Sequence, residues 1–202
     1  MLKAPNLSRY DWLVHGFGLR DSVYPEAVTT LKQIHSGTVV EALSPGGDRF
    51  AEGDALVTRS PGLVVGVRTA DCVPILIVDA RTHAVASVHA GWRGTAQQIA
   101  SSAVRELITR FGSRAEDLHA AAGPSIGPCC YEVGDEVARQ FGIDGPAKID
   151  LPGINEKQLR EAGVADVWLA RECTFCAPEK YFSFRREKDQ AGRMLSFAGG
   201  RV

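Results

Sequence analysis

Two uninterrupted apolar runs, GLVVGV (Gly62–Val67) and PILIVD (Pro74–Asp79), constrain this chain more than any other feature. A strand with one wet face alternates apolar and polar residues. A run that is apolar throughout has both faces covered. The chain must therefore lay down material on either side of a sheet. Further strands are expected at Thr38–Leu43, Ala84–His89, Leu118–Gly123, Asp166–Ala170, Lys180–Arg186 and Arg193–Ala198. One helix stands out, because Ala100, Ala103, Val104, Leu107, Ile108 and Phe111 recur at intervals that make one stripe. Thr95 and Gln98 ahead of it read as a capping box, and Gly112 supplies the left-handed position that ends it. A second helix is expected at Glu132–Phe141 and a short third one at Glu156–Ala162. Polar, Gly-containing connections fall at Ser44–Ala55 and Phe141–Asn155. Strands and helices mix without strict alternation, which predicts an α+β sandwich rather than a doubly wound sheet. With no repeat and no convincing linker, residues 1–202 read as a single domain.

The balance of charge narrows the possible partners. There are 24 acidic and 23 basic side chains, a net charge of −1. Such a surface has no long-range pull toward nucleic acid or an anionic membrane. The opening MLKAPNLSRYDWLVHGF has no apolar signal core, and no apolar run approaches the roughly 20 residues that span a bilayer. Cys72, Cys129, Cys130, Cys173 and Cys176 make an odd count, which fits reduced thiols in a cytoplasm better than a disulfide framework.

Three residues at expected strand ends could carry chemistry. His35 lies in KQIHSG before a strand, Cys72 follows TAD at the mouth of a buried strand, and His89 closes ASVH. Two imidazoles and a thiolate are a borderline-soft donor set that suits zinc, and three protein ligands leave a fourth position open. Each residue alone also has an ordinary reading, as core filler or a surface histidine. After His89 the turn AGWRGT leads toward the helix. It is either an anion site with Arg93 as a phosphate fork or a plain turn with Arg93 in water. Arg68 and Asp71 flank Cys72; Arg68 could be a second anion clamp, and Asp71 could shuttle a proton or orient a ligand. Cys129 and Cys130 read as small turn residues, with Cys129 as an alternative fourth ligand. Cys173 and Cys176 read as packing residues, since one Cys-x-x-Cys supplies only half a structural site. His15, His83 and His119 read as ordinary, and Trp92 as either a pocket wall or core.

QIHSGTVV, GDALVTRSPGLVVGVRTADCVPILIVD, ASVHAGWRGT, AAAGPSIGPCCYEVGDEV and ECTFCAPEKYFSFRR…GRM, between about Leu31 and Met194, resemble the YfiH family in order and content. That family is also described as laccase-domain or polyphenol oxidase, and as purine nucleoside phosphorylase. The resemblance implies an α/β/β/α-type sandwich with a mixed sheet, shared with cysteine-dependent deamidase toxins. It implies that His35, Cys72 and His89 bind zinc. It also implies phosphate-dependent cleavage of adenosine, inosine, guanosine and methylthioadenosine, with some adenosine deamination, by a cytoplasmic monomer or homodimer. The segment Gly18–Lys32 is shorter than the family's usual one, which bears on substrate range rather than on the ligands.

Cys72, His89 and Asp71 are thus the expected catalytic groups, with Arg68 and Arg93 holding phosphate. Three other readings compete. A metal-free amidase or peptidoglycan-precursor editing hydrolase would use Cys72 as nucleophile and His89 as base. A polyphenol oxidase would use copper, but five histidines without a His-x-His pair are poor material for a multicopper cluster, so only a single copper in the same site is plausible. A metal-stabilised binding module would need a fourth protein ligand.

Overall fold

The computed structural model describes residues 1–47, 49 and 51–201. Asp48 and Phe50, inside the expected connection Ser44–Ala55, lie outside the described residues, as does Val202. The strands are β1 (Leu13–Phe17), β2 (Val39–Glu41), β3 (Ala55–Thr58), β4 (Val64–Thr69), β5 (Val73–Asp79), β6 (Val85–Ala90), β7 (Leu118–Ala122), β8 (Glu132–Val133), β9 (Ala147–Lys148), β10 (Asp166–Leu169) and β11 (Met194–Gly200). The helices are α1 (Trp92–Ala96), α2 (Ile99–Phe111), α3 (Asp135–Arg139), α4 (Leu151–Glu161) and α5 (Phe184–Glu187).

Six strands form one sheet in the order β10-β7-β5-β6-β3-β2. It is mixed: β10–β7 and β2–β3 are parallel, and the pairs between them antiparallel. A second, antiparallel sheet has the order β1-β11-β4. The run in β5 explains the layering. Ile75 and Ile77 join the core beneath α2 and α4, with Ile99, Val104, Leu107 and Leu159. Leu76 and Val78 join the core against the small sheet, with Phe17, Leu63 and Val65. All four β5 residues are fully buried. Each such side chain contributes about 1.5–3 kcal/mol relative to leaving it in water. The α+β sandwich with a mixed sheet is as the sequence implies.

Four local expectations need correction. Lys180–Arg186 is not a strand. Ser183 accepts the Arg186 N–H at 3.3 Å and caps the short α5. Thr95 is not a helix cap. Its side chain is buried, and its hydroxyl oxygen accepts a bond from Asn155 Nδ2 at 2.9 Å. The one-turn α1 precedes α2, and Gln98, left-handed at φ 56°, breaks the helix between them. The third helix begins at Leu151, five residues earlier than expected, because Asp150 caps it through the Gly153 N–H and Pro152 fits its first turn. The region read as the second helix gives the short β8 and then only the five residues of α3. β1 and β3 were missed; both are short, and β1 is interrupted by His15 and Gly16.

Candidate metal centre

One end of the large sheet gathers chain segments that are far apart in sequence. β5 and β6 are antiparallel with Val73 opposite Ala90, so the start of β5 and the end of β6 coincide. β3 pairs antiparallel with β6, which brings its start to the same end. Cys72 sits just before β5, where the chain crosses from β4 in the small sheet to the large one. His89 lies in β6, and His35 lies four residues before β2.

His35, Cys72 and His89 each offer a ligand atom within 4.8 Å of the others. The two imidazoles meet edge to face with centroids 4.9 Å apart. Gly91 is required by space: a Cβ there would lie 3.0 Å from Cys72 Sγ and 3.4 Å from His35 Cδ2.

Asp54, which sequence reasoning passed over, organises the site. It is fully buried. Oδ1 accepts from the His35 N–H at 3.0 Å and contacts His89 Nδ1 at 2.8 Å. Oδ2 accepts from the Ser36 N–H at 2.6 Å, the Ser36 hydroxyl at 2.8 Å and the Ile34 N–H at 3.3 Å. These bonds hold His35 in a left-handed conformation, φ 59°, that costs about 1 kcal/mol for a residue with a Cβ. Burial works against the Asp54 carboxylate, but the bonds from His89 and Ser36 outweigh it and hold its pKa at about 2. Gln33 fastens the same loop to β4, exchanging two 2.8 Å bonds with the main chain of Arg68. An Asp directly after Gly and before an apolar run, GDALVT, was the available signal.

Burial would raise the Cys72 thiol, but the charge of His89 and bonds from both imidazoles bring it down to about 6. Burial likewise disfavours the His89 imidazolium, yet the Cys72 charge and the Asp54 bond lift it to about 9. The donor set is therefore prepared to be anionic at sulfur. With Nδ1 turned to Asp54, Nε2 is the His89 nitrogen left for an ion, the carboxylate–histidine arrangement that orients metal ligands. Two nitrogens and a sulfur fit zinc or a single copper ion.

The other expected residues separate into three environments. Asp71, at φ 88°, is buried with its oxygens taken: Oδ1 accepts from the Thr174 hydroxyl at 2.6 Å, and Oδ2 from the Ser183 hydroxyl at 3.0 Å and the Arg185 N–H at 2.6 Å. These bonds favour the orienting task over the proton shuttle. Arg93 is exposed, with its guanidinium 4.3 Å over the Trp92 ring. The anion turn it was to serve opens only the five-residue α1. Arg68 is half-buried near the end of β4. Tyr131, not foreseen, lies within electrostatic reach of Cys72, Arg185, Asp71 and Arg93; burial and the Cys72 charge push its phenol up to about 12. Cys129 does not join the tripod. It gathers instead with Cys130, Cys173 and Cys176, so the two cysteine pairs that the sequence reads separately come together. Among the described residues, these are the two groups of three or more candidate donors. His15, His83 and His119 are held elsewhere, by Ala4, Trp12 and Asp166 respectively.

These features define a class: an α+β sandwich carrying a two-imidazole, one-thiolate centre at a sheet edge. Residues 17–201 match the family model described as multi-copper polyphenol oxidoreductase laccase. The chain belongs to that family, which also holds the YfiH and YlmD proteins. A purine nucleoside phosphorylase of Deinococcus radiodurans is 40% identical over 179 residues, covering 84% of this chain and 68% of the relative. Adenosine deaminase RL5, from an unknown prokaryotic organism, is 43% identical over 159 residues, covering 71% of this chain and 60% of the relative. The crystal structure of YlmD from Geobacillus stearothermophilus superposes with a TM-score of 0.81 at 32% identity, covering 88% of this chain and 74% of that one. The chain is thus shorter than these relatives. No helix among its described residues is long and apolar enough to cross a membrane.

Proposed function

We propose that the protein is a zinc-dependent purine nucleoside phosphorylase acting on adenosine, inosine, guanosine and methylthioadenosine, with an accessory adenosine deaminase activity, in a reducing cytoplasm. The observation that carries this reading is the convergence of His35, Cys72 and His89 around a buried orienting carboxylate. The activities for which the Deinococcus and RL5 relatives are named support the substrate class.

A bound zinc supplies a Lewis acid with an open coordination position. In phosphorolysis a phosphate oxygen bonds to C1′ of the ribose as the C1′–N9 bond breaks. The bonding pair leaves on N9, which takes a proton, and the products are free base and ribose 1-phosphate. Positive charge builds on the sugar before the bond to phosphate is complete, so an anion placed beside it lowers the barrier. Arg93 and Arg68, each four residues from a tripod member, are the assigned phosphate clamps. Asp54 fixes the His89 ring, and Asp71, next to Cys72, is anchored through its carboxylate to Arg185 and through its carbonyl to Ile126.

Among the described residues, the tripod gathers three donors and no fourth. That favours an open, reactive centre over the metal-stabilised binding module. The family's description names several coppers, but His15, His83 and His119 lie with other partners, so the donors suit one ion. The decisive experiment incubates zinc-loaded protein with inosine and phosphate and measures hypoxanthine and ribose 1-phosphate. Turnover that needs phosphate and disappears in His89→Ala supports the proposal. Absence of product, or turnover that persists in His89→Ala, overturns it. In the same preparation, zinc protects Cys72 from alkylation; a freely alkylated Cys72 in active protein points to the metal-free amidase instead.

A further inference from the structure

The second thiol group lies outside the tripod and has no part in the proposed reaction. Cys129 and Cys130 occupy the turn before β8, and Cys173 and Cys176 the loop after β10, where Cys173 bridges to Ser125. Cys173 follows Cys130 by 43 positions in the chain. All four sulfurs nevertheless lie within 4.8 Å of one another. Cys130 Sγ is 3.3 Å and Cys129 Sγ 3.8 Å from Cys176 Sγ. Four thiolates around one tetrahedral ion, with metal–sulfur bonds of about 2.3 Å, stand about 3.8 Å apart along each edge. The observed spacing brackets that value. It is also too tight for an iron–sulfur cluster, whose sulfur ligands surround several irons.

The surroundings are those of a ligand set. The Gly127 N–H points at Cys173 Sγ at 3.3 Å, the bond that stabilises a thiolate. A Cβ on Gly127 would lie 3.4 Å from Cys129 Sγ and 3.5 Å from Cys173 Cβ, so glycine permits the close approach. Cys129 and Cys176 are exposed, where free thiols are a liability to oxidation. A depression of about 610 Å³ opens beside them, lined in part by Arg185 and Glu132.

We infer that Cys129, Cys130, Cys173 and Cys176 hold a structural zinc ion, distinct from the one at the tripod. Its role is to fasten two loops that also support the tripod. Main-chain bonds already join Ser125 to Glu172 and Thr174. Thr174 then reaches Asp71, and the main chain of Ile126 bonds the Asp71 carbonyl at 2.9 Å. The ion closes this bracket with four covalent-strength contacts and leaves no open position, so it contributes to folding rather than to chemistry.

The test uses the full chain, purified under reducing conditions and reconstituted with zinc or cobalt. Expected results are one more metal equivalent per chain than the tripod accounts for, and a tetrathiolate cobalt spectrum. That spectrum should be lost in Cys176→Ser and in Cys173→Ser and retained in His89→Ala. X-ray absorption on zinc-loaded His89→Ala should show an all-sulfur shell. The chelator-sensitive part of the melting temperature should fall in Cys176→Ser, the exposed position where misfolding is least expected. The proposal is overturned if wild-type protein loaded at the tripod leaves four thiols freely titratable, or if mass spectrometry of unreduced protein shows these cysteines paired as disulfides. It is also overturned if His89→Ala binds no metal while remaining folded. None of these outcomes depends on nucleoside turnover.

Discussion

The two donor groups are built in opposite ways. The tripod draws Cys72 and His89 from the adjoining ends of β5 and β6 and His35 from the exposed loop before β2, and a fully buried carboxylate aims one of its imidazoles. The thiol quartet comes from a turn and from a loop that pairs Cys173 with Ser125 through an isolated bridge, and two of its four residues are exposed. Rigid strand ends hold few ligands at fixed separations and leave a coordination position free, which suits a reacting ion. Loops that each supply two thiols gain most from an ion that completes its shell with them, which suits a fastener.

The largest expected contrast comes from removing a tripod ligand. His89→Ala should lower nucleoside phosphorolysis by about 100–1000-fold, as does loss of a principal electrostatic contact in other enzymes. Steady-state kinetics with inosine read this. The same variant should keep the sulfur-bound metal, and if it lost both ions the two groups would not be independent. Asp54→Asn should come next, with tripod zinc affinity about 10–100-fold weaker by competition with a chelator. An unchanged affinity would remove Asp54 from its orienting role. Gly91→Ala forces a methyl to within 3.0 Å of Cys72 Sγ. It should cost about 1–3 kcal/mol of stability in denaturant melts and weaken tripod metal binding without touching the quartet.

The smallest effect lies away from both groups and calibrates them. His15 is buried and accepts a bond from the Ala4 N–H at 3.3 Å. Burial first, then the charge of Lys3, lowers its pKa from 6.5 to about 4. The unfolded chain therefore binds the proton more readily, and stability falls as pH drops from 6.5 toward 4. The loss should reach about 2 kcal/mol, and His15→Gln should flatten it in acid melts. An acid-melt profile identical to wild type in His15→Gln would place the acid sensitivity elsewhere.

Much of the large sheet was legible because its strands are apolar on both faces. β5, β6, β7 and β10 fall where their runs predicted, and Gly112 ends α2 as its left-handed conformation requires. The tripod was legible because Cys72 and His89 lie at strand ends and all three members fall in segments that resemble the family's; His35 itself sits in a bend before β2. What escaped was set by tertiary partners. Thr95 has the composition of a cap, but Asn155 on α4 claims its hydroxyl oxygen. The segment 180–186 alternates like a strand, but Asp71 claims the hydroxyl of Ser183 and the N–H of Arg185, and the chain turns into α5. Cys129 and Cys130 look like turn filler, and Cys173 and Cys176 like half a site. Only the fold shows that the halves belong together, since the contact spans more than forty residues.

β11 is the middle strand of the small sheet, and β1 on its flank pairs Leu13 with Gly200. During synthesis, β1 and β4 emerge early but have no common neighbour until β11 leaves the ribosome. Leu13, Phe17 and Val65 must then wait uncovered beneath an otherwise assembled large sheet. Such late, distant pairing is slow and leaves apolar surface open to wrong partners. Newly made chains should therefore be most vulnerable to clumping until β11 has emerged.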